Sequence, residues 1–395
     1  MTPHDDSLAW LTWQTGSTQQ QLRWHSEAGN PPPKRVQEAD DQIAADTAYK
    51  LACEGCGLLW RGDFQNARQL LQALGRRIDK ARERALAKAK DKPAAGVAAG
   101  AGAAAQAFHQ HRQMQAQRAR ILGMLLIPVE PGFVVPLRRA PDVQAACCEA
   151  YGPELADTAF AVSLRELQGL IGAHEWRKKG VEIGALGARI HPWYGVFSPV
   201  RGEYVDLVAQ AALPSTELAF DIGVGSGVLS AVLAQRGVRK IVATDMDPRA
   251  LACARQNLQQ LGLHQQVQLQ EADLFPEGRA PLVVCNPPWL PARPSSPIEH
   301  AVYDPDSRML LGFLNGLAQH LTPQGEGWLI MSDFAEHLGL RAPGMLAEAI
   351  AKAGLVVAGR HDIKPRHGKA VDRDDPLHAA RSKETTTLWR LRVQA

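Results

Sequence analysis

The chain has 395 residues, 44 Lys and Arg against 41 Asp and Glu, and a net charge of +3. It is therefore not a polycation, and any nucleic-acid surface has to be a local patch. Hydrophobic content of 45% and charged content of 22% fit an ordinary globular protein with room for two or three domains.

The opening stretch, MTPHDDSLAW, has neither a positive n-region nor an apolar core, so no signal peptide is expected. No uncharged apolar run reaches about 18 residues, so no membrane span is expected either. Six cysteines are too few for a disulfide framework, and a cytoplasmic protein is the expectation. The first zone is polar and irregular through GNPPPKRVQEAD and then turns helical. In DFQNARQLLQALGRRI, residues Ala67, Leu70, Leu71, Leu74 and Ile78 fall at helical spacing and form one apolar stripe. Ten Lys/Arg against four Asp/Glu between residues 60 and 92 suit a solvated helix face better than an arm for nucleic acid. CEGC, at Cys53 and Cys56, has no second ligand pair, so it reads as two small residues on a helix and no metal is expected. The Ala- and Gly-rich run KPAAGVAAGAGAAAQAF reads as a linker. The expected organisation is a mainly helical region over residues 1–90, a linker over 91–107 and a small accessory domain over 108–185.

From residue 186 to 395 the pattern becomes regular. ELAFDIG, RKIVATD, QVQLQEAD, PLVVCN and EGWLIMSD read as strands, with helices between most of them. Pro248 at a first turn and Gly262 at an end mark the second helix. Strands alternating with helices predict a doubly wound, mostly parallel sheet of seven strands. LVVAGRHDIKP and TTTLWRLRV, with no helix between them, predict an antiparallel hairpin at one edge.

Ligands of such sheets sit beyond the carboxyl ends of the strands, at the switch point. The first strand runs into Asp221, Gly223, Gly225 and Gly227. A dinucleotide fingerprint would need glycine at position 228, which is Val228. Asp221 sits where a pyrophosphate binder prefers no negative charge, and suits a ligand with an ammonium group. Asp245 ends the second strand, where a carboxylate can accept from ribose hydroxyls. Asp273 follows the third, where it can accept from an adenine amino group. One such acid reads as a helix cap or turn former; three in series make that reading weak.

FDIGVGSG, VATDMDPRAL, EADLF and VVCNPPW resemble the successive motifs of class I S-adenosylmethionine-dependent methyltransferases. They are most similar to the branch with an N-P-P-[FYW] motif, which includes the small-domain ribosomal RNA, N6-adenine and release-factor glutamine methyltransferases. The resemblance covers residues 190–395, half of the chain, and implies S-adenosylmethionine as cofactor. It implies that Gly223 and Gly225 pass the methionine part, that Asp245 holds the ribose and that Asp273 lies by the adenine. HPWYGVFSPVRGEYV resembles the adenine branch, which implies that Phe197, Ser198 and Pro199 line the methionine end.

Asn286-Pro287-Pro288-Trp289 carries the expected chemistry. A planar –NH2 is a poor nucleophile because its lone pair is delocalised. The Asn286 side-chain oxygen and the Pro287 carbonyl can accept its two hydrogens and draw the nitrogen towards tetrahedral geometry. The prolines stiffen the turn, and Trp289 offers a face for stacking. The first expectation is an N-methyltransferase acting on an exocyclic amine of a nucleic acid, with RNA favoured. The alternatives are a protein glutamine N5-methyltransferase, or a cofactor-binding partner protein without catalysis.

Overall fold

The computed structural model of the chain describes residues 9–90, 101–200, 202–294, 297–366, 372–373 and 375–394. Residues 91–100 of the expected linker lie outside the described residues, as do residues 367–371. Two compact units are present, residues 1–98 with 110–175 and residues 99–109 with 176–395.

The first unit is built on a sheet rather than on helices. Its elements are β1 (Trp10–Thr15), β2 (Thr18–Trp24), β3 (Arg35–Ala39), α1 (Ala45–Cys53), β4 (Cys56–Trp60), α2 (Phe64–Lys90), α3 (Ala101–Leu122), β5 (Leu125–Val129), α4 (Gln144–Tyr151), β6 (Phe160–Ser163) and α5 (Leu164–Lys179), except that residues 101–109 of α3 and 176–179 of α5 belong to the second unit. The strands form one six-stranded sheet in the order β1-β2-β6-β5-β4-β3. The expected mainly helical region is thus corrected, and β5 and β6 from the expected accessory domain complete the same sheet. Strand pairing overrides composition here. β1 turns into β2 around Gly16, whose φ is 62°, and buries only Leu11 and Trp13 of its six residues. β2 exposes its polar TQQQ stretch to solvent, so it reads as irregular. The α2 stripe Ala67, Leu70, Leu71 and Leu74 is buried. Asp63 begins that helix, accepts from the Gln65 N–H at 2.8 Å and pairs with Arg138 and Arg139. Cys56 is not helical: Gly55, with φ 80°, ends α1 and lets β4 begin.

The second unit contains β7 (Val181–Ile183), β8 (Ala188–Ile190), α6 (Glu203–Gln210), β9 (Leu218–Ile222), α7 (Val228–Gln235), β10 (Lys240–Asp245), α8 (Pro248–Gln260), β11 (Val267–Glu271), β12 (Ala280–Cys285), α9 (Arg308–His320), β13 (Leu321–Ser332), α10 (Phe334–His337), α11 (Met345–Lys352), β14 (Leu355–Ile363) and β15 (Thr386–Val393). Its main sheet has seven strands in the order β11-β10-β9-β12-β13-β15-β14. β9 to β13 pair in parallel, and β15 runs antiparallel between β13 and β14. Alternation along the strands builds two cores. Ala219, Leu282 and Val284 face α6, α7 and α8 on one side, whereas Phe220, Ile222, Val283 and Cys285 face α9 and α11 on the other. The strand order reverses between β9 and β12, which opens a crevice at their carboxyl ends.

Candidate active site

Strand register brings the candidate residues together. Cys285 pairs with Ile222, and Thr244 pairs with Ile222 on the other side. One residue further along each strand stand Asn286, Gly223 and Asp245, in a row across three strand ends.

The turn after β9 is held by backbone bonds. Gly223 and Val224 donate to the Thr244 carbonyl at 2.9 and 2.8 Å, and Gly225 donates to Asp245 Oδ2 at 3.0 Å. Gly223, Gly225 and Gly227 have φ of 77°, 51° and 83°. A Cβ on Gly225 would meet nothing within 4 Å, so this turn leaves open space above it. A Cβ on Gly227 would touch Ala254 at 3.3 Å, so that glycine lets α7 and α8 pack closely.

Asp221 is buried, 1% exposed, and its Oδ2 accepts from Ser230 Oγ at 2.6 Å. Its Oδ1 has no hydrogen-bond partner among the described residues. Burial lifts its carboxyl to about 7, opposed by the Ser230 bonds and helped by the neighbouring Asp245 charge. A buried carboxylate oxygen without a donor fits a ligand ammonium. Burial also raises the Asp245 carboxyl, opposed by the backbone N–H groups of Asp247 and Gly225. Asp247 caps α8 by accepting from Arg249. Met246, directly after Asp245, is an exposed apolar side chain that can cover a flat ring. Asp273 lies further out, is exposed, and pairs with Arg308 at the start of α9.

Phe197 is half-buried on the α6–α8 core, with its ring 6.4 Å from that of Tyr204, and Pro199 is buried. Burial, and then the Asp221 charge, push the Tyr204 hydroxyl pKa up.

Pro287 is buried, while Asn286, Pro288 and Trp289 are half-buried. The Trp289 indole N–H donates to Asn286 Oδ1 at 2.9 Å, and its ring packs on both cores. An amide oxygen has two lone pairs, so this bond fixes the Asn286 carbonyl and leaves it able to accept another N–H. Buried Arg341 donates to the Trp289 carbonyl at 3.1 Å. Beyond Leu290 the chain returns to Asp304, which accepts from the N–H groups of Met309 and Leu310 at 3.0 and 3.1 Å. Asp306 and Ser307, with φ of 56° and 54°, hold left-handed backbone just before α9. Strain of this kind concentrates at working sites.

Ser230, Asn257, Met246 and Arg341 are further residues of this site. Asn257 carried a visible signal: it is a polar residue on the apolar face that α8 shares with Ala250, Cys253 and Ala254. It is 1% exposed, accepts from the His191 N–H at 2.8 Å and donates to the Ser226 carbonyl at 2.9 Å.

A protein-family model described as Ribosomal protein L11 methyltransferase (PrmA) matches residues 207–287. The tRNA1(Val) (adenine(37)-N6)-methyltransferase of Shewanella loihica is 29% identical over 186 residues, 44% of this chain and 74% of that one. A Methanocaldococcus jannaschii protein named "Putative protein N5-glutamine methyltransferase" is 28% identical over 121 residues, 30% of this chain and 59% of its own length. The ribosomal protein L11 methyltransferase of Symbiobacterium thermophilum is 39% identical over 120 residues, 30% of this chain and 39% of its own. The chain thus spans less than two thirds of the second and third of these relatives. A doubly wound domain with this switch-point turn, together with these similarities, defines a class I methyltransferase. The chain is an S-adenosylmethionine-dependent methyltransferase, and S-adenosylmethionine is its cofactor.

Proposed function

We propose that this methyltransferase transfers its methyl to a planar amino group, an exocyclic amine of RNA. The observation that carries the reading is the Asn286–Trp289 hydrogen bond at 2.9 Å, which orients one acceptor beside the glycine turn. S-adenosylmethionine supplies an electrophilic methyl carried on a sulfonium.

The chain's residues hold the two partners and set their angle. Asp221 would receive the ammonium of the cofactor, and the glycine turn, with Phe197 and Pro199, would hold its methionine part. Asp245 would accept from the ribose hydroxyls with lone pairs not used by its backbone donors, and Met246 would cover the base. Asp273, paired with Arg308, borders the adenine edge. Asn286 Oδ1 and the Pro287 carbonyl accept the two hydrogens of the substrate amine and turn its lone pair towards the methyl. The Pro-Pro turn, Arg341 and the indole N–H keep these acceptors in place before the substrate arrives, so little reorganisation is needed during transfer. Transfer would break the methyl–sulfur bond and leave a neutral thioether, and the substrate nitrogen would shed its proton to water afterwards, so no strong base is required beforehand.

RNA is favoured over a glutamine amide by the HPWYGVFSP segment, which is similar to the adenine branch, and by Trp289 where the glutamine branch has tyrosine. The basic stretch over residues 60–92 is partly neutralised, Arg61 pairing with Glu38 and Arg77 with Asp46, and does not carry this preference. Within β14 Arg360 pairs with Asp362, and just after the strand Lys364 donates to the Lys383 carbonyl at 2.9 Å. The experiment is transfer of labelled methyl into RNA, DNA and protein fractions of a cell extract. Label in RNA supports the reading. Label in protein alone replaces it with the glutamine reading.

A further inference from the structure

We propose that the last turn of α5, the segment over residues 189–198 and the outer face of α8 form one platform on which the RNA substrate docks; the proposal rests on the RNA reading above. A chain of contacts makes this surface continuous. The Trp176 indole N–H donates to Ser198 Oγ at 3.4 Å. The Arg177 guanidinium lies 4.3 Å from the centre of the Trp193 ring. Both reach Gln256 on α8, Trp193 through an indole N–H at 2.9 Å and Arg177 by a second hydrogen bond. Arg249 lies over the Tyr194 ring at 5.9 Å, and Arg189 donates to the Lys179 carbonyl at 2.7 Å.

This surface carries a local excess of positive charge. Residues 176–199 and 246–260 hold six cations, Arg177, Lys178, Lys179, Arg189, Arg249 and Arg255, against two acids, Glu182 and Asp247. The whole chain is close to balance, 44 to 41. Lys178, Lys179, Arg189 and Arg255 are exposed, and Trp176 is 44% exposed.

A solvated helix face needs cations but no rings among them. An acidic peptide is met by cations alone. Here three aromatic side chains, Trp176, Trp193 and Tyr194, stand between the cations, a combination that serves a phosphate backbone carrying unstacked bases. The same segment is joined to the cofactor turn through Asn257, which bonds both His191 and Ser226. It then runs on into Phe197 and Pro199. A strand bound here lies at the rim of the site that receives its base.

The test uses the full chain and bulk transfer RNA, with binding followed from about 50 to about 200 mM salt. The combined variant Lys178→Glu, Lys179→Glu, Arg189→Glu should bind S-adenosylmethionine as the parent does. Its salt slope for RNA should be shallower by about one unit per lost phosphate contact. Trp176→Ala should weaken RNA binding roughly 5- to 150-fold by loss of stacking. A Lys178→Gln, Lys179→Gln, Arg189→Gln set gives the same reading should charge reversal prevent folding. If the parent binds RNA steeply and every variant matches it, the platform is wrong while the RNA reading stands. If the parent binds no RNA and labels protein alone, both fall. If polyglutamate displaces RNA from the parent and its own binding is lost in the variants, the surface takes an acidic chain and the proposal is overturned.

Discussion

Asp221 joins the site chemistry to pH. Its carboxyl titrates at about 7 because it is buried. A cofactor bearing an ammonium binds the ionised form, so affinity should rise with pH up to about 7 and fall again above about 8, where an α-amino group loses its own proton. From its maximum, affinity should drop severalfold by about pH 6 as Asp221 takes up its proton. For the free protein the sign is opposite. Between 3.8 and about 7 the folded chain keeps a proton that the unfolded chain has released, so stability falls as pH rises through that window. Titration calorimetry across this range checks it, and Asp221→Asn should flatten both profiles; a flat parent profile would separate Asp221 from the ammonium. Asp245 and Asn286 divide binding from transfer. Asp245→Ala loses a charged acceptor for two hydroxyls, roughly 2–4 kcal/mol of cofactor affinity. Asn286→Ala should lower turnover about 100- to 1000-fold with cofactor affinity within a few-fold. Equal loss of binding and turnover in the asparagine variant would undo that division. Much of this site was readable because its residues recur at strand ends, where spacing along the chain maps directly onto position in space. Arg341 was not readable: it lies some fifty residues from Trp289 in sequence, and only folding makes the 3.1 Å bond between them.

β15 enters the sheet between β13 and β14, and one buried charge fixes it there. Glu326 on β13 is fully buried and accepts from Arg390, Arg392 and Trp328. Burial pushes its carboxyl up, but bonds from Arg390, Trp328 and Arg392 outweigh that and hold it at about 2, against 4.5 in the unfolded chain. The stability this contributes is complete above about 4.5 and is lost as pH falls from there towards about 2. A gap of this size corresponds to about 3 kcal/mol. Thermal melts from neutral pH into acid should therefore show a steep fall in the parent. Glu326→Gln should be less stable at neutral pH and lose less between pH 5 and 3 (a range set by the folded and unfolded values). Equal acid sensitivity in both proteins would place the transition elsewhere. At this scale the sequence was uneven. The parallel strands declare themselves because both faces are buried and each reads as a continuous apolar run. β1 and β2 were missed although Leu11 and Trp13 alternate with exposed neighbours around a Gly16 turn, because the polar TQQQ stretch masked the period. The order in which β15 inserts depends on Glu326 meeting two arginines more than sixty residues away, which no local pattern carries.

Residues 176–395 contain both cores of the parallel sheet, the glycine turn and the Asn286 turn. They lack one part of their own unit, the segment 99–109. From that segment Phe108, 2% exposed, packs with Leu290, Phe334, Leu338 and Leu377. Leu290 follows Trp289 directly, so the missing ring underlies the chain just beyond the substrate acceptors. A fragment beginning at residue 176 should consequently fold and bind S-adenosylmethionine within a few-fold of the full chain, because the cofactor residues draw on the two large cores. It should be less stable by about 3–5 kcal/mol, the usual effect of removing a buried phenylalanine. Its methyl transfer should fall further than its cofactor affinity, since the loosened support sits under Leu290 and not under Gly223 or Asp245. Phe108→Ala in the full chain separates the two causes: it should reproduce the loss of stability and part of the loss of transfer while leaving the first unit in place. Calorimetric cofactor titration, thermal melts and labelled methyl transfer on the three proteins decide it. A folded fragment that binds no cofactor would show that the cofactor site needs residues outside 176–395. A Phe108→Ala protein with unchanged transfer would assign the fragment's deficit to the absent first unit, and with it to substrate capture by residues 1–98 and 110–175.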